Sequence, residues 1–179
     1  MSIRPFACIL AVVQVAQPAL ASAGDFSAIE FLLGDWEAVP KPGQGVGRCS
    51  FTSELQGRVI VRRNHAEVPA SNDRPGGTHD DLMIIYREGD PPVLRATYHD
   101  SEDHVIRYSA RSDASTQVTF LSEPAPNAPR YRLSYAKLAD GRVSGKFEVA
   151  PPAKPEAFNT YLEWTMQRPA AARVQEKKP

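Results

Sequence analysis

Four histidines, one cysteine beyond the first two dozen residues and several arginines in alternating segments are the groups whose chemistry needs an account. His65 and Glu67, two apart, would share one face of a strand and offer two ligands to a zinc ion. His99 and His104 would face one another across a four-residue loop. A structural zinc site normally has four protein ligands and a catalytic one three. No third ligand is evident for either pair, so no metal site is expected. Cys49 shares a strand face with Phe51, the setting of a buried, inert thiol. His79 sits beside Asp80 and Asp81 in an expected loop, where it would stabilise a turn, lie on the surface or cap a mouth. The chain contains no Gly-x-Ser-x-Gly elbow, His-Glu-x-x-His pair, Walker loop or dinucleotide fingerprint, so no catalytic residues are assigned and the enzymatic reading ranks last.

The remaining candidates depend on hairpin register, because a slip of one residue reverses every side chain. A type I turn with a G1 bulge at Gly57 would set Val59, Val61, Arg63, His65 and Glu67 inward. A two-residue Gln56-Gly57 loop would instead bring in Ile60, Arg62 and Asn64. Either register buries an arginine, which must then be paired or anchor a ligand carboxylate. Between Tyr98 and His104, the four-residue loop that pairs the two histidines is opposed by alternation: Leu94, Ala96 and Tyr98 share one apolar face and Ile106 and Tyr108 the next. An odd loop closing near Asp103 keeps those faces together and turns His104 inward and His99 outward, since Asp tolerates the left-handed conformation. The candidate ligand-contacting set is therefore Arg63, His65, Glu67, Tyr98, His104 and Tyr108. The alternative for each is a structural hydrogen-bonding role inside a filled core.

The elements that position these residues are short and alternating, the all-β signature. About ten strands are expected: residues 35–39, 48–54, 58–68, 81–87, 93–98, 104–111, 116–122, 130–138, 142–149 and 158–168. Phe26 to Leu33 forms a short helical pattern that Asp25 or Ser27 would cap and Gly34 would stop. Asp140-Gly141 is the clearest two-residue hairpin turn. Residues 40–47, 69–80 and 150–156 are longer loops. Tyr131, Leu133 and Tyr135 share a face, as do Val143, Phe147 and Val149, and Leu162, Trp164 and Met166. One apolar face per strand in an antiparallel meander is solved by a sandwich or by a barrel that closes and removes its edges. About ten strands leave room for a lumen.

Composition bounds the remainder. A chain of 179 residues is within the single-domain range of about 100–200 residues. Twenty-one basic residues balance twenty-one acidic ones, so no net field favours nucleic acid. Arg4, the apolar stretch from Phe6 to Val15 and the small residues Ala19, Ala21 and Ala23 read as a secretory signal. Its removal would leave a periplasmic or secreted protein without a membrane span. The expected organisation is a signal over residues 1–23, a barrel over 24–168 and a flexible tail over 169–179. Cys8 leaves with the signal, so the mature domain has no internal disulfide and relies on its core.

Leu33-Gly34-Asp35-Trp36, at the start of the first strand, resembles the Gly-x-Trp signature of calycins, the lipocalin and fatty-acid-binding group. The resemblance implies an up-and-down antiparallel barrel, with Gly34 and Trp36 at one end and an Arg of the last strand, Arg168, packed over Trp36. Residues 31–169, with runs such as His79-Asp80-Asp81-Leu82-Met83 and Phe147-Glu148-Val149-Ala150-Pro151-Pro152, also look like a group of uncharacterised bacterial lipocalin-like proteins, a likeness that brings no activity with it. A more distant likeness to nitrobindin, a haem-binding calycin, rests on Gly34-x-Trp36 followed by Gly45-x-Gly47, after which the motif departs. It would make haem the cofactor, with His104 or His65 as its ligand. The functional expectation is a barrel that holds a small apolar or amphipathic ligand; a filled structural or partner-binding barrel is the alternative and a haem barrel the third.

Overall fold

The computed structural model describes residues 26–42, 45–71 and 75–170. A 3-10 turn at Ser27–Leu32 leads into β1 (Gly34–Ala38), β2 (Val46–Glu54), β3 (Val59–Val68), β4 (Gly77–Glu88), β5 (Val93–Asp100), β6 (Val105–Asp113), β7 (Gln117–Ser122), β8 (Arg130–Lys137), β9 (Val143–Ala150) and β10 (Asn159–Gln167). Each strand pairs with its sequence neighbours and β10 returns to β1, giving one closed ten-stranded antiparallel barrel. This is the expected up-and-down architecture. Closure converts ten half-apolar strands into one lumen with no long unpaired edge. The expected signal over residues 1–23 and residues 171–179 of the expected tail lie outside the described residues.

One end of the barrel is sealed by the segment before β1. Phe26, Ile29 and Leu32 of the 3-10 turn are buried, and the Trp36 indole Nε1–H donates to the Leu32 carbonyl at 2.7 Å. The Arg168 guanidinium lies 3.8 Å above the Trp36 ring and donates to the Asp35 carbonyl at 3.2 Å, a cation–π contact fixed by a hydrogen bond. Gly34 has φ +101, and a Cβ there would run into Arg168 Nη1. Glycine is therefore required twice over, by backbone angle and by the approach of the guanidinium. The turn has Phe26 at its N-cap position with no side-chain cap, so Ser27 does not cap it.

Two hairpins depart from their expected turns, in opposite senses. Glu54 pairs with Val59, and Leu55, Gln56 and Gly57 all take positive φ, at 50, 58 and 79. The resulting four-residue loop has the same parity as a two-residue loop, so the G1-bulge register expected at Gly57 is corrected. In the next case Leu138 N–H donates to the Arg142 carbonyl at 2.8 Å, leaving Ala139, Asp140 and the left-handed Gly141 in a three-residue loop rather than the two-residue Asp140-Gly141 turn. A further correction concerns β4, which begins at Gly77: His79 and Asp80 are strand residues, paired with Ala66 and His65.

Candidate functional site

Inward side chains divide the lumen into two halves. Toward the sealed end, Phe51, Ile60, Met83, Ile85, Val118, Phe120, Val143 and Met166 are each at most 2% exposed. The Phe51 ring on β2 meets the Tyr135 ring on β8 edge-on, with centroids 5.7 Å apart. These strands are not neighbours in the sheet, so the contact crosses the lumen and fills it. Toward the other end, the inward-facing Asn64, Tyr98, Ile106, Tyr131, Phe147 and Trp164 are only half-buried, and Leu162 is 49% exposed. Solvent reaches the interior here, so this half is a mouth.

A polar layer separates the halves. Arg62 and Asp81 are buried and joined by an ion pair between Nη1 and Oδ1, and Asn64 Nδ2 donates to Asp81 Oδ2 at 2.9 Å. Burial pushes the Asp81 carboxyl above its ordinary range, against the pull of Arg62 and His79. For Arg62 burial works the other way, and the Asp81 carboxylate paired with it helps to hold the guanidinium in its charged form. Burial also pushes the Tyr98, Tyr108 and Tyr135 phenols upward, so their hydroxyls stay protonated. The Tyr108 and Tyr135 hydroxyls and the Arg62 Nε–H are buried without hydrogen-bond partners. Cys49 lies beside this layer with its thiol 3.8 Å from Met166 Sδ; burial raises its pKa, in keeping with an unreactive thiol.

Above the layer the mouth has two unlike walls. On the β4–β5 side His79 Nε2 lies 3.1 Å from the Tyr98 hydroxyl and 3.7 Å from Asp81 Oδ2, while its Nδ1 lies 3.2 Å from Glu102. Tyr98 donates to Asp100 at 3.2 Å. Burial opposes the Asp100 charge, but the backbone N–H groups of His104 and Glu102 and the His104 ring bind it and hold its carboxyl below the usual range. On the β8–β10 side Tyr131 and Phe147 stack at 5.7 Å with 10° between planes, and Tyr161, 76% exposed, meets Phe147 edge-on. Tyr161 falls where the β10–β9 register shifts, so an extra residue there turns its ring toward the rim. Gly145 opposes Trp164, whose ring occupies the space a Cβ would need.

The candidate residues are scattered by this arrangement. Tyr98 and Tyr108 face the lumen, at the mouth and in the polar layer. Arg63, His65 and Glu67 lie on the outer wall, because the even loop at residues 55–58 turns Ile60, Arg62 and Asn64 inward. Outside, His65 Nδ1 lies 2.7 Å from Asp80 Oδ1, which raises the imidazole pKa. The loop after Asp100 is odd and Asp103 is left-handed at φ 65, as expected, but His104 stands opposite Asp100 rather than Tyr98. It therefore clears the end of the lumen, is 56% exposed, and bonds to Asp100 at 3.0 Å. His65 stands on the outer wall and His104 is tied to Asp100 at the rim, so neither histidine proposed as a haem ligand stands inside the lumen, and rings fill its deeper half; the residues do not fit a haem. Among the described residues no group of three or more His, Cys, Asp or Glu side chains is placed to hold a metal ion. A dimple of about 240 Å³ framed by Gln117, Ser134, Lys146 and Glu163 lies on the outer wall, away from these groups.

Sequence reasoning gave weight to Arg63 over Arg62 and did not single out Asp81 as an inward residue. The signal that could have found the pair is Met83 and Ile85, which share a face with Asp81 and are fully buried; the intervening Leu82 and Ile84 hide it by making the run apolar on both faces. No known protein-family model matches the chain, and no curated protein is significantly similar to it.

Proposed function

We propose that the protein is an exported carrier of a small amphipathic molecule, held in the mouth half of the barrel. The observation that carries this reading is the contrast in burial between inward side chains: those at the sealed end are closed off, while Tyr98, Ile106, Tyr131, Phe147 and Trp164 remain reachable by solvent. Inward rings that the barrel itself does not cover offer apolar area to a ligand, and each Å² removed from water is worth about 25 cal/mol. The Tyr131–Phe147 wall suits an apolar body and the opposite wall a polar head, the usual division of labour in a binding site.

N-Phenyl-1-naphthylamine, a neutral apolar dye, tests the site. Its fluorescence should rise and saturate with the protein, and Phe147→Asp should abolish the rise while leaving the barrel folded by circular dichroism. An unsaturated, variant-independent signal would defeat the carrier reading. Export rests on the Arg4, Phe6–Val15 and Ala19/Ala21/Ala23 pattern. Intact mass of the protein from its native host should begin at Ser22 or Gly24; retention of Met1 would refute it.

A further inference from the structure

We infer that the mouth carries a proton-operated latch: protonated His79 ties the β5–β6 loop, residues 101–104, to β4, and the neutral ring lets it go. The latch follows from a count of hydrogens and does not depend on a bound molecule. Three contacts run in series. His79 Nδ1 lies 3.2 Å from Glu102 Oε1, its Nε2 lies 3.1 Å from the Tyr98 hydroxyl, and that hydroxyl lies 3.2 Å from Asp100 Oδ2. Both ends of the series are carboxylates, which only accept when ionised. Three hydrogen bonds between two such ends need three protons, and the phenol supplies one. A neutral imidazole supplies one more and an imidazolium two. All three contacts are therefore satisfied only when His79 carries its charge.

The other histidines of this corner do not share the property. His104 Nδ1 reaches Asp100 at 3.0 Å and His65 Nδ1 reaches Asp80 at 2.7 Å, and a neutral ring satisfies either contact with a single N–H. His65 Nε2 stands 3.6 Å from Glu67, beyond a hydrogen bond. Around His79 the titratable groups are Asp81 on its own strand, with Oδ2 at 3.7 Å, Tyr98 and Asp100 on β5, and Glu102 in the loop. On β3 its paired residue is Ala66, and the cation of that strand, Arg62, is joined to Asp81. Asp100 stays a carboxylate: burial opposes its charge, but the N–H groups that bind it hold its pKa below the usual range.

Burial decides which bond yields when the ring loses its proton. If Tyr98 turned its hydrogen to Nε2, Asp100 would lose a donor, and its side chain, 5% exposed, has little water to replace it. Glu102 is 62% exposed and rehydrates at little cost. Neutral His79 thus keeps its hydrogen on Nε2 for Tyr98, turns a lone pair toward Glu102 and releases it. The loop remains attached by bonds that need no extra proton, from the Ser101 N–H to the Asp80 carbonyl at 2.9 Å and from the Asp80 N–H to the Ser101 hydroxyl at 3.2 Å, so it loosens rather than unfolds. A bond that requires the imidazolium is present at acid pH and is lost as the pH rises through the titration of the ring. This corner of the rim is therefore tighter in acid, and looser with a free carboxylate at higher pH.

Amide hydrogen exchange of the full chain at about pH 5.5 and about pH 8, on either side of the range in which histidine changes charge, tests the latch once each rate is divided by its intrinsic chemical rate. Protection of the Ser101, Glu102 and His104 amides should fall at least roughly threefold toward the higher pH, the scale of one net hydrogen bond, while that of the fully buried Ile85 holds. His79→Gln should show the low protection at both pH values, and His65→Gln should keep the fall. Glu102→Gln separates the latch from a simple ion pair. Its amide can donate to the Nδ1 lone pair, so the series is complete with a neutral ring, and the loop should stay protected at about pH 8. A merely anionic partner would instead lose protection at both pH values when neutralised. That result overturns the latch, as does a wild-type loop equally protected at the two pH values, or a fall that survives in folded His79→Gln or disappears in His65→Gln.

Discussion

The two halves of this lumen are made by the same ten strands, yet one is a core and the other a cup. Toward Trp36, the inward positions hold Phe51, Ile60, Ile85, Val118, Phe120 and Val143, none more than 2% exposed. A few residues along the same strands they hold Asn64, Asp81, Tyr98 and Ile106, with the Tyr131–Phe147 stack opposite. Strand geometry does not distinguish the halves, since alternation continues through both. The side chains do. Rings large enough to touch across the lumen close one end, whereas charged and hydroxylated groups that bond within their own wall leave the other end open. Apolar burial is thus concentrated at the plugged end, while the polar groups lie toward the mouth.

The largest effects should test that division directly. Phe51→Ala removes a fully buried ring that spans the lumen and should cost about 3–5 kcal/mol. Phe147→Ala, a half-buried ring of the mouth, should cost about 1–2 kcal/mol. Urea unfolding of both variants gives the comparison, and equal losses would erase the distinction between core and cup. Next in size is the polar layer. Asp81→Ala leaves Arg62 buried without its counter-charge and should cost about 3 kcal/mol, whereas the double replacement Arg62→Met with Asp81→Leu should recover most of that loss, since an apolar pair of similar volume avoids the desolvation of two charges. A double variant as unstable as the single one would mean that the layer holds the barrel together rather than serving its mouth.

The plug comes third. Arg168→Ala loses the stack on Trp36 and the bond to the Asp35 carbonyl and should cost about 1 kcal/mol or more. Arg58→Ala, at an exposed position in the loop before β3, should change the urea midpoint little. Indistinguishable midpoints would show that the 3-10 turn closes the barrel without help from the arginine.

Much of this molecule was legible in the residues, and the failures have a common physical origin. Alternation in Tyr131-Arg132-Leu133-Ser134-Tyr135 is clean, with one face apolar and one polar, so its facing could be read without knowing any turn. The same holds for Ala96 and Tyr98 against Ile106 and Tyr108, where the odd loop and its left-handed Asp103 followed from keeping apolar faces together. In Val59-Ile60-Val61 and Leu82-Met83-Ile84-Ile85 both faces are apolar, and the period falls silent. Register there depended on the turn, and Gly57 is a poor guide: its positive φ is shared with Leu55 and Gln56, residues whose side chains give no hint of it. That one hairpin decides whether Arg62 or Arg63 enters the lumen, so the scaffold could be read from the residues while the polar layer inside it could not.

The smallest effect separates inside from outside rather than end from end. On the outer wall Glu148 receives both Arg132 Nε–H and Nη2–H, at 2.6 and 2.9 Å, and Arg132 lies 4.2 Å over the Phe158 ring. The bond from Arg132 is the main cause of a Glu148 pKa held below the ordinary glutamate range, with burial opposing it. A carboxyl whose pKa is depressed by folding contributes stability above its unfolded value of about 4.3, and that contribution is lost as the pH falls through the folded value. The inner carboxyl, Asp81, is shifted upward by burial, so its charge opposes folding and its protonation relieves that penalty as the pH falls. Wild type should therefore lose more stability between about pH 6 and pH 3 than Glu148→Gln, by about 0.5–1 kcal/mol, the scale of a partly exposed ion pair. Urea midpoints at the two pH values measure it. Parallel losses in the two proteins would place the acid sensitivity elsewhere, with Asp100 and Asp140, the other carboxyls held below their usual range, next to be replaced.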